Sequence, residues 1–219
     1  MVTSLTSDTT SDTTPDFIGV LAGARLLAII RGSGPGPAVA AGTALLGEGV
    51  RVIEVSLTTP GALDAIAELR AAAPAGALVG AGTVLTESDV ADVAAAGAQF
   101  AVTPAVVESV GAAVRRGLPV AAGALTPTEA HTAVRLGADA VKVFPASLAG
   151  PAYIKALRQP FPRLPFVAVG GVGLAELPEY LAAGAIAAGV GGPLVGDAAS
   201  GGDLDALRER ARAFLTATS

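Results

Sequence analysis

Two hydrophobic periods take turns along this chain. From Leu21 onward a short β-branched or apolar run is followed by a Gly/Thr/Pro turn, then by an Ala/Leu stretch with helical spacing that closes near a glycine. The runs predict strands at Leu26–Ile30, Val52–Ser56, Leu78–Gly82, Phe100–Thr103, Pro119–Ala122, Ala140–Val143, Phe166–Val169 and Ile186–Val190. Between them the 3.6-residue period predicts helices such as Gly61–Ala73, Glu87–Ala96, Val106–Arg116 and Thr128–Leu136. Thr126-Pro127-Thr128-Glu129 reads as a capping box with proline at the first helical position, and Thr59-Pro60 is expected to open its helix in the same style. Gly97, Gly117, Gly137 and Gly184 stand where helices should end. The final stretch carries Leu204, Leu207, Phe214 and Leu215 at helical spacing and reads as core packing.

Strands alternating with helices every 25 residues or so predict a single (β/α)8 TIM barrel over residues 17–219. The rival is a doubly wound open sheet, whose nucleotide fingerprint G-x-G-x-x-G is never completed: Gly80-Ala81-Gly82 runs on to Leu85, and Gly171-Val172-Gly173 to Glu176. Residues 1–16, rich in Ser, Thr and Asp, are expected to form a flexible tail outside the barrel. That tail has neither a basic start nor an apolar core, so it does not read as a secretory signal.

Composition narrows the chemistry. Of 219 residues 52% are hydrophobic and only 4% aromatic, which suits close packing of small side chains between helix and strand. The formal charge of −5, with no basic cluster, argues against a nucleic-acid partner; Arg115-Arg116 and the Arg208, Arg210, Arg212 series read as solvated faces. The longest small-apolar stretch, Leu181–Val190, is too short and too glycine-broken to cross a membrane. There is no cysteine, which excludes disulfides and thiolate sites and agrees with a cytoplasmic location. His131 is the sole histidine and reads as a surface or capping residue, so neither a Ser-His-Asp relay nor a His-rich metal site is expected.

Lys142 is one of two lysines and lies inside the apolar run A-V-K-V-F, while Lys155 falls on a helical pattern and should face solvent. Strand alternation puts Lys142 with Ala140 on one face of its strand, and Glu54 with Val52 and Ser56 on one face of V-I-E-V-S. The faces carrying Ile53, Val55, Val141 and Val143 must bury against helices, so Glu54 and Lys142 should point into the barrel. Both strands are even-numbered, and even strands fill the same interior layers. The pair is then either a structural ion pair or a reactive amine with an acid across from it. Burial lowers an amine's pKa and leaves more free base to attack a carbonyl, which favours a Schiff-base lysine. Val169–Gly173 and Gly189–Pro193 end the seventh and eighth strands, where barrels commonly hold a phosphate on glycine N–H groups; plain turns are the alternative, and Pro193 supplies no N–H. Arg31 ends the first strand and suits a carboxylate, a phosphate or a structural place on the rim.

These stretches, I-I-R-G, V-R-V-I-E-V-S-L, V-G-A-G-T-V-L-T, G-A-Q-F-A-V-T-P, V-K-V-F-P-A and the two Gly-Gly loops, occur in order from about Leu26 to the last helix. Together they resemble the 2-keto-3-deoxy-6-phosphogluconate (KDPG)/4-hydroxy-2-oxoglutarate aldolase family of class I aldolases. The resemblance implies an imine on Lys142 and Glu54 as general acid/base. It implies Thr83 beside the substrate carboxylate, Pro104 lining the site and Phe144 packed by the imine, with Gly170, Gly171, Gly191 and Gly192 as phosphate loops. It further implies a homotrimer acting on a small 2-oxo acid with no metal and no other cofactor. Two positions depart from it. Thr58 stands where some members carry arginine, and Pro193 where phosphosugar-cleaving members often carry serine, which bears on whether the substrate is phosphorylated. KDPG cleavage is the expected reaction. Cleavage of an unphosphorylated acid such as 4-hydroxy-2-oxoglutarate, another lysine-using isomerase or heterocycle synthase, and a non-catalytic oligomeric scaffold are the alternatives.

Overall fold

The computed structural model describes residues 16–219. The expected tail, apart from Asp16, lies outside them. Eight parallel strands close into a barrel in chain order: β1 (Leu26–Ile30), β2 (Val52–Ser56), β3 (Leu78–Gly82), β4 (Ala101–Val102), β5 (Val120–Ala124), β6 (Ala140–Val143), β7 (Phe166–Val169) and β8 (Ala187–Val190), with β8 pairing back onto β1. The helices are α1 (Phe17–Ala24), α2 (Pro35–Gly47), α3 (Ala62–Ala72), α4 (Glu87–Ala95), α5 (Glu108–Arg115), α6 (Pro127–Arg135), α7 (Gly150–Arg158), α8 (Leu177–Ala182), α9 (Gly192–Val195) and α10 (Leu204–Ala217).

Alternation along each strand divides the apolar side chains into two cores. Ile53, Val55, Val141 and Val143 pack outward beneath the helices, whereas Leu27, Ile29, Val52, Ala140, Val167 and Val169 fill the barrel. Register keeps inward residues in line: Ile29 pairs with Glu54, Ser56 with Gly82, Gly123 with Lys142 and Lys142 with Val167.

The sequence period foretold no α1, which precedes the repeating unit. Asp16 caps it, Oδ1 accepting the Gly19 N–H at 2.9 Å. Its buried Phe17 and Leu21 join the inner core, and the Phe17 ring stacks on Phe100 at a centroid distance of 4.7 Å. A helix thus plugs the end of the barrel where the strands begin.

Pairing at β4 is shorter than expected, but the ladder continues on both sides: the Phe100 carbonyl accepts from Ala81, and the Thr103 N–H donates to Ala121. The Thr126–Glu129 capping box is present, and Gly97, Gly117, Gly137 and Gly184 all take positive φ after their helices.

Two local expectations need correcting. Thr59 does not cap α3; its buried hydroxyl accepts the Gly32 N–H at 3.0 Å, tying the loop after β2 to the loop after β1. Arg210 is not simply a solvated side chain, because its guanidinium donates to the Leu194 and Val195 carbonyls and fastens α10 to the end of α9. Arg115, Arg208 and Arg212 do lie in exposed ion pairs with Glu87, Asp205 and Glu48. No helix among the described residues is long and apolar enough to cross a membrane.

Candidate active site

Glu54 and Lys142 enter the barrel from β2 and β6 and are only 2% and 8% exposed. They line the same cavity of about 330 Å³, at the end of the barrel where the strands finish. No ion pair joins them; the ion pairs among the described residues all lie elsewhere. Their burial is therefore not that of a directly contacting ion pair, although the two groups still act on each other through charge. Burial holds the Glu54 carboxyl above its ordinary pKa, opposed by the positive charges of Lys142 and Arg31. Its Oε2 is buried with no hydrogen-bond partner among the described residues, a costly state for an acceptor that is never used. Lys142 Nζ stands 5.1 Å from the centre of the Phe144 ring, within cation–π range.

Beside Glu54 runs a chain of hydroxyls. Ser56, two residues further on the same face of β2, hydrogen-bonds both Thr58 at 2.8 Å and Thr83 at 2.9 Å. Arg31 Nε donates to Thr58 at 3.3 Å, and no carboxylate pairs with this arginine among the described residues. Thr83 has φ +61°, an outlying conformation for a β-branched residue. The chain therefore holds a strained residue with its hydroxyl in the mouth of the barrel.

Across the site, Thr103 bridges two strands. Its buried hydroxyl donates to the Ala105 carbonyl at 2.6 Å and accepts the Gly123 N–H at 3.1 Å, which folds Pro104 over the cavity. A side chain at Gly123 would collide with the Pro104 carbonyl, so the inward neighbour of Lys142 on β5 has to be glycine. Gly170 plays a similar part for Phe144, whose ring lies 2.9 Å from where a Cβ would stand.

Arg31, Thr83, Pro104, Phe144, Gly170, Gly171, Gly191 and Gly192, all expected from the sequence, line the cavity with Glu54 and Lys142. Thr58 and Pro193 line it too. Pro193 occupies the first turn of the short α9, where a missing N–H is least costly. His131 is exposed on α6, 6.5 Å from Phe161, and Lys155 is exposed on α7. Among the described residues no three His, Cys, Asp or Glu side chains gather as a metal site would need.

Ser56 is the residue that sequence reading left without a role; its signal was a polar side chain on the inward face two places beyond Glu54. Ile29, Val169, Val172 and Gly189 also line the cavity and carry no polar signature. A wider concavity of about 810 Å³ lies at the opposite end, around Arg70, Gly97 and Arg116, and holds none of the paired chemistry.

A closed parallel barrel with an amine and an acid buried in its C-terminal mouth has the build of a barrel enzyme. The family model described as KDPG and KHG aldolase matches residues 18–209, and the chain belongs to that family of carbon–carbon lyases. It is similar to the 2-dehydro-3-deoxy-6-phosphogalactonate aldolase of Escherichia coli (strain K12), with 38% identity over 194 residues, 88% of this chain and 93% of that protein. A solved cage "designed by fusing symmetric oligomeric domains" superposes with a TM-score of 0.83 and 37% identity, over 88% of this chain and 71% of that one. The KDPG aldolase of Legionella pneumophila, solved "with pyruvate captured at low pH as a covalent carbinolamine intermediate", superposes with a TM-score of 0.77 and 28% identity, over 92% and 95% of the two chains.

Proposed function

We propose that this protein is a class I aldolase that cleaves a 2-keto-3-deoxy-6-phospho sugar acid to pyruvate and glyceraldehyde 3-phosphate. The observation that carries this reading is a buried amine and a buried acid, its Oε2 without a partner among the described residues, facing one cavity without pairing. The free-base form of Lys142 attacks the C2 ketone, and the carbinolamine loses water to give an iminium. Glu54, with its raised pKa, takes the proton of the C4 hydroxyl. The C3–C4 bond breaks, its electron pair passes into the iminium to form an enamine, and the aldehyde leaves. Protonation at C3 and hydrolysis release pyruvate and restore the lysine. The iminium is the electron sink, so the reading calls for no metal and no other cofactor. A positioned acid/base group of this kind typically contributes about 10²–10⁴-fold.

In this reading Thr83 receives the substrate carboxylate, Pro104 and Phe144 enclose the imine, and Arg31 with Gly170, Gly171, Gly191 and Gly192 receives the phosphate. The enzyme works in the cytoplasm as a homotrimer on a small molecule. The symmetric oligomeric relative supports self-association, and so do Leu148 and Leu174, large apolar side chains left exposed near the mouth.

Thr58 and Pro193 favour one rival, an unphosphorylated substrate such as 4-hydroxy-2-oxoglutarate. A panel with pyruvate detection separates them. Higher kcat/KM for the phosphorylated acids supports the proposal, higher kcat/KM for 4-hydroxy-2-oxoglutarate selects the rival, and pyruvate from none refutes both.

A further inference from the structure

We propose that Gly82 is the positioning residue for the Glu54 carboxyl, through the side chain it lacks. The inference rests on the acid/base role proposed above for Glu54. Gly82 ends β3 and pairs in register with Ser56, so it is the inward neighbour on the side toward which Glu54 leans. A Cβ built there overlaps Glu54 Oε1 and lies 2.8 Å from Cδ and 3.4 Å from Cγ, so its three nearest atoms all belong to Glu54. Ordinary carbon contacts begin near 3.5 Å, so the carboxyl would have to leave its present place.

The other inward glycines differ. Gly80 faces the backbone and ring of Phe100, Gly123 faces the backbone of Pro104, and Gly189 faces Val169 and Ile29. Those positions serve packing, whereas Gly82 makes room for one titrating side chain. Its backbone does not need glycine, since Gly82 keeps an ordinary strand conformation while Gly170 and Gly171 take positive φ. Nor do the described residues hold the carboxyl by hydrogen bonds, because Oε2 has no partner among them. Space fixes it, and Gly82 is that space.

The test is a cycle of wild type, Gly82→Ala, Glu54→Ala and the double variant. Each is measured for melting temperature, for kcat and KM with pH, and for borohydride trapping of pyruvate on Lys142. Gly82→Ala is expected to lower kcat by about 10²-fold or more, within the range a misplaced acid/base group implies. KM should change little, the limb of the pH profile set by Glu54 should move, and the Lys142 adduct should persist. In the Glu54→Ala background the same substitution should be silent in both residual turnover and melting temperature, the non-additivity of a contacting pair.

Wild-type kcat and pH profile in Gly82→Ala, or an equal loss with and without Glu54, would overturn the proposal. If Gly82→Ala alone does not fold, recovery of folding in the double variant supports it and continued misfolding refutes it. Should the wild type yield no pyruvate adduct, the aldolase reading fails. The melting-temperature cycle then still decides whether Gly82 and Glu54 are in contact.

Discussion

Replacing Glu54 by glutamine should stabilise the protein while disabling it. The carboxyl is 2% exposed, its Oε2 has no partner among the described residues, and burial raises its pKa above the ordinary 4.5. A raised carboxyl pKa means that the folded state binds the proton more tightly than the unfolded chain. This group's stabilising contribution is complete below about pH 4.5 and is lost as pH rises through the folded-state value. Glutamine does not titrate, so the stability difference between variant and wild type should be flat in acid and grow from pH 4.5 upward. An unpaired buried charge costs more than an unpaired neutral group, so exchanging the carboxylate for the neutral amide should recover about 1–3 kcal/mol at a pH where Glu54 is ionised. At about 2–4 °C per kcal/mol for a domain of this size, the variant should melt about 2–12 °C higher at pH 8. Its kcat should fall by about 10²–10⁴-fold. Calorimetry from pH 4 to 8 on both proteins reads the difference directly. A melting-temperature difference that is negative at pH 8, or unchanged across that range, would refute the electrostatic account of Glu54.

Three further substitutions probe the rest of the structure. Phe17→Ala removes the ring that stacks on Phe100 at the closed end and should cost about 3–5 kcal/mol in denaturant unfolding, with little change in KM. Ser56→Ala removes the partner shared by the exposed Thr58 and half-buried Thr83 hydroxyls; it should cost about 0.5–1.5 kcal/mol and raise KM for the acid substrate. Arg31→Ala should raise KM for a phosphorylated substrate by about 10–100-fold, the worth of one charge-assisted hydrogen bond, while leaving pyruvate trapping on Lys142 unchanged.

The strand and helix periods were legible because each strand has one face toward helices and one toward the axis, and that division is written in which residues are branched and apolar. Glu54 and Lys142 stood out for the same reason: each breaks an apolar run on its inward face. Thr83, Pro104 and Phe144 came from motif likeness instead, since nothing in their composition announces a cavity, whereas the two glycine loops were marked by their place after β7 and β8. Helix α1 was invisible because eight residues before the first repeat leave no period to count. Thr59 and Arg210 were misjudged because their partners, Gly32 and the carbonyls of Leu194 and Val195, lie across the fold. The place of Gly82 is likewise a matter of distance to a side chain on another strand, and a glycine in a strand says nothing of what it makes room for.

The central claim is that the buried amine of Lys142 forms a covalent imine with a 2-oxo acid. Reducing the enzyme with borohydride in the presence of pyruvate and mapping the product by peptide mass spectrometry tests this most directly. The account predicts one reduced pyruvyl adduct, borne by the peptide that contains Lys142 and absent in Lys142→Met. An unmodified Lys142 peptide, or an adduct on Lys155 instead, would contradict it.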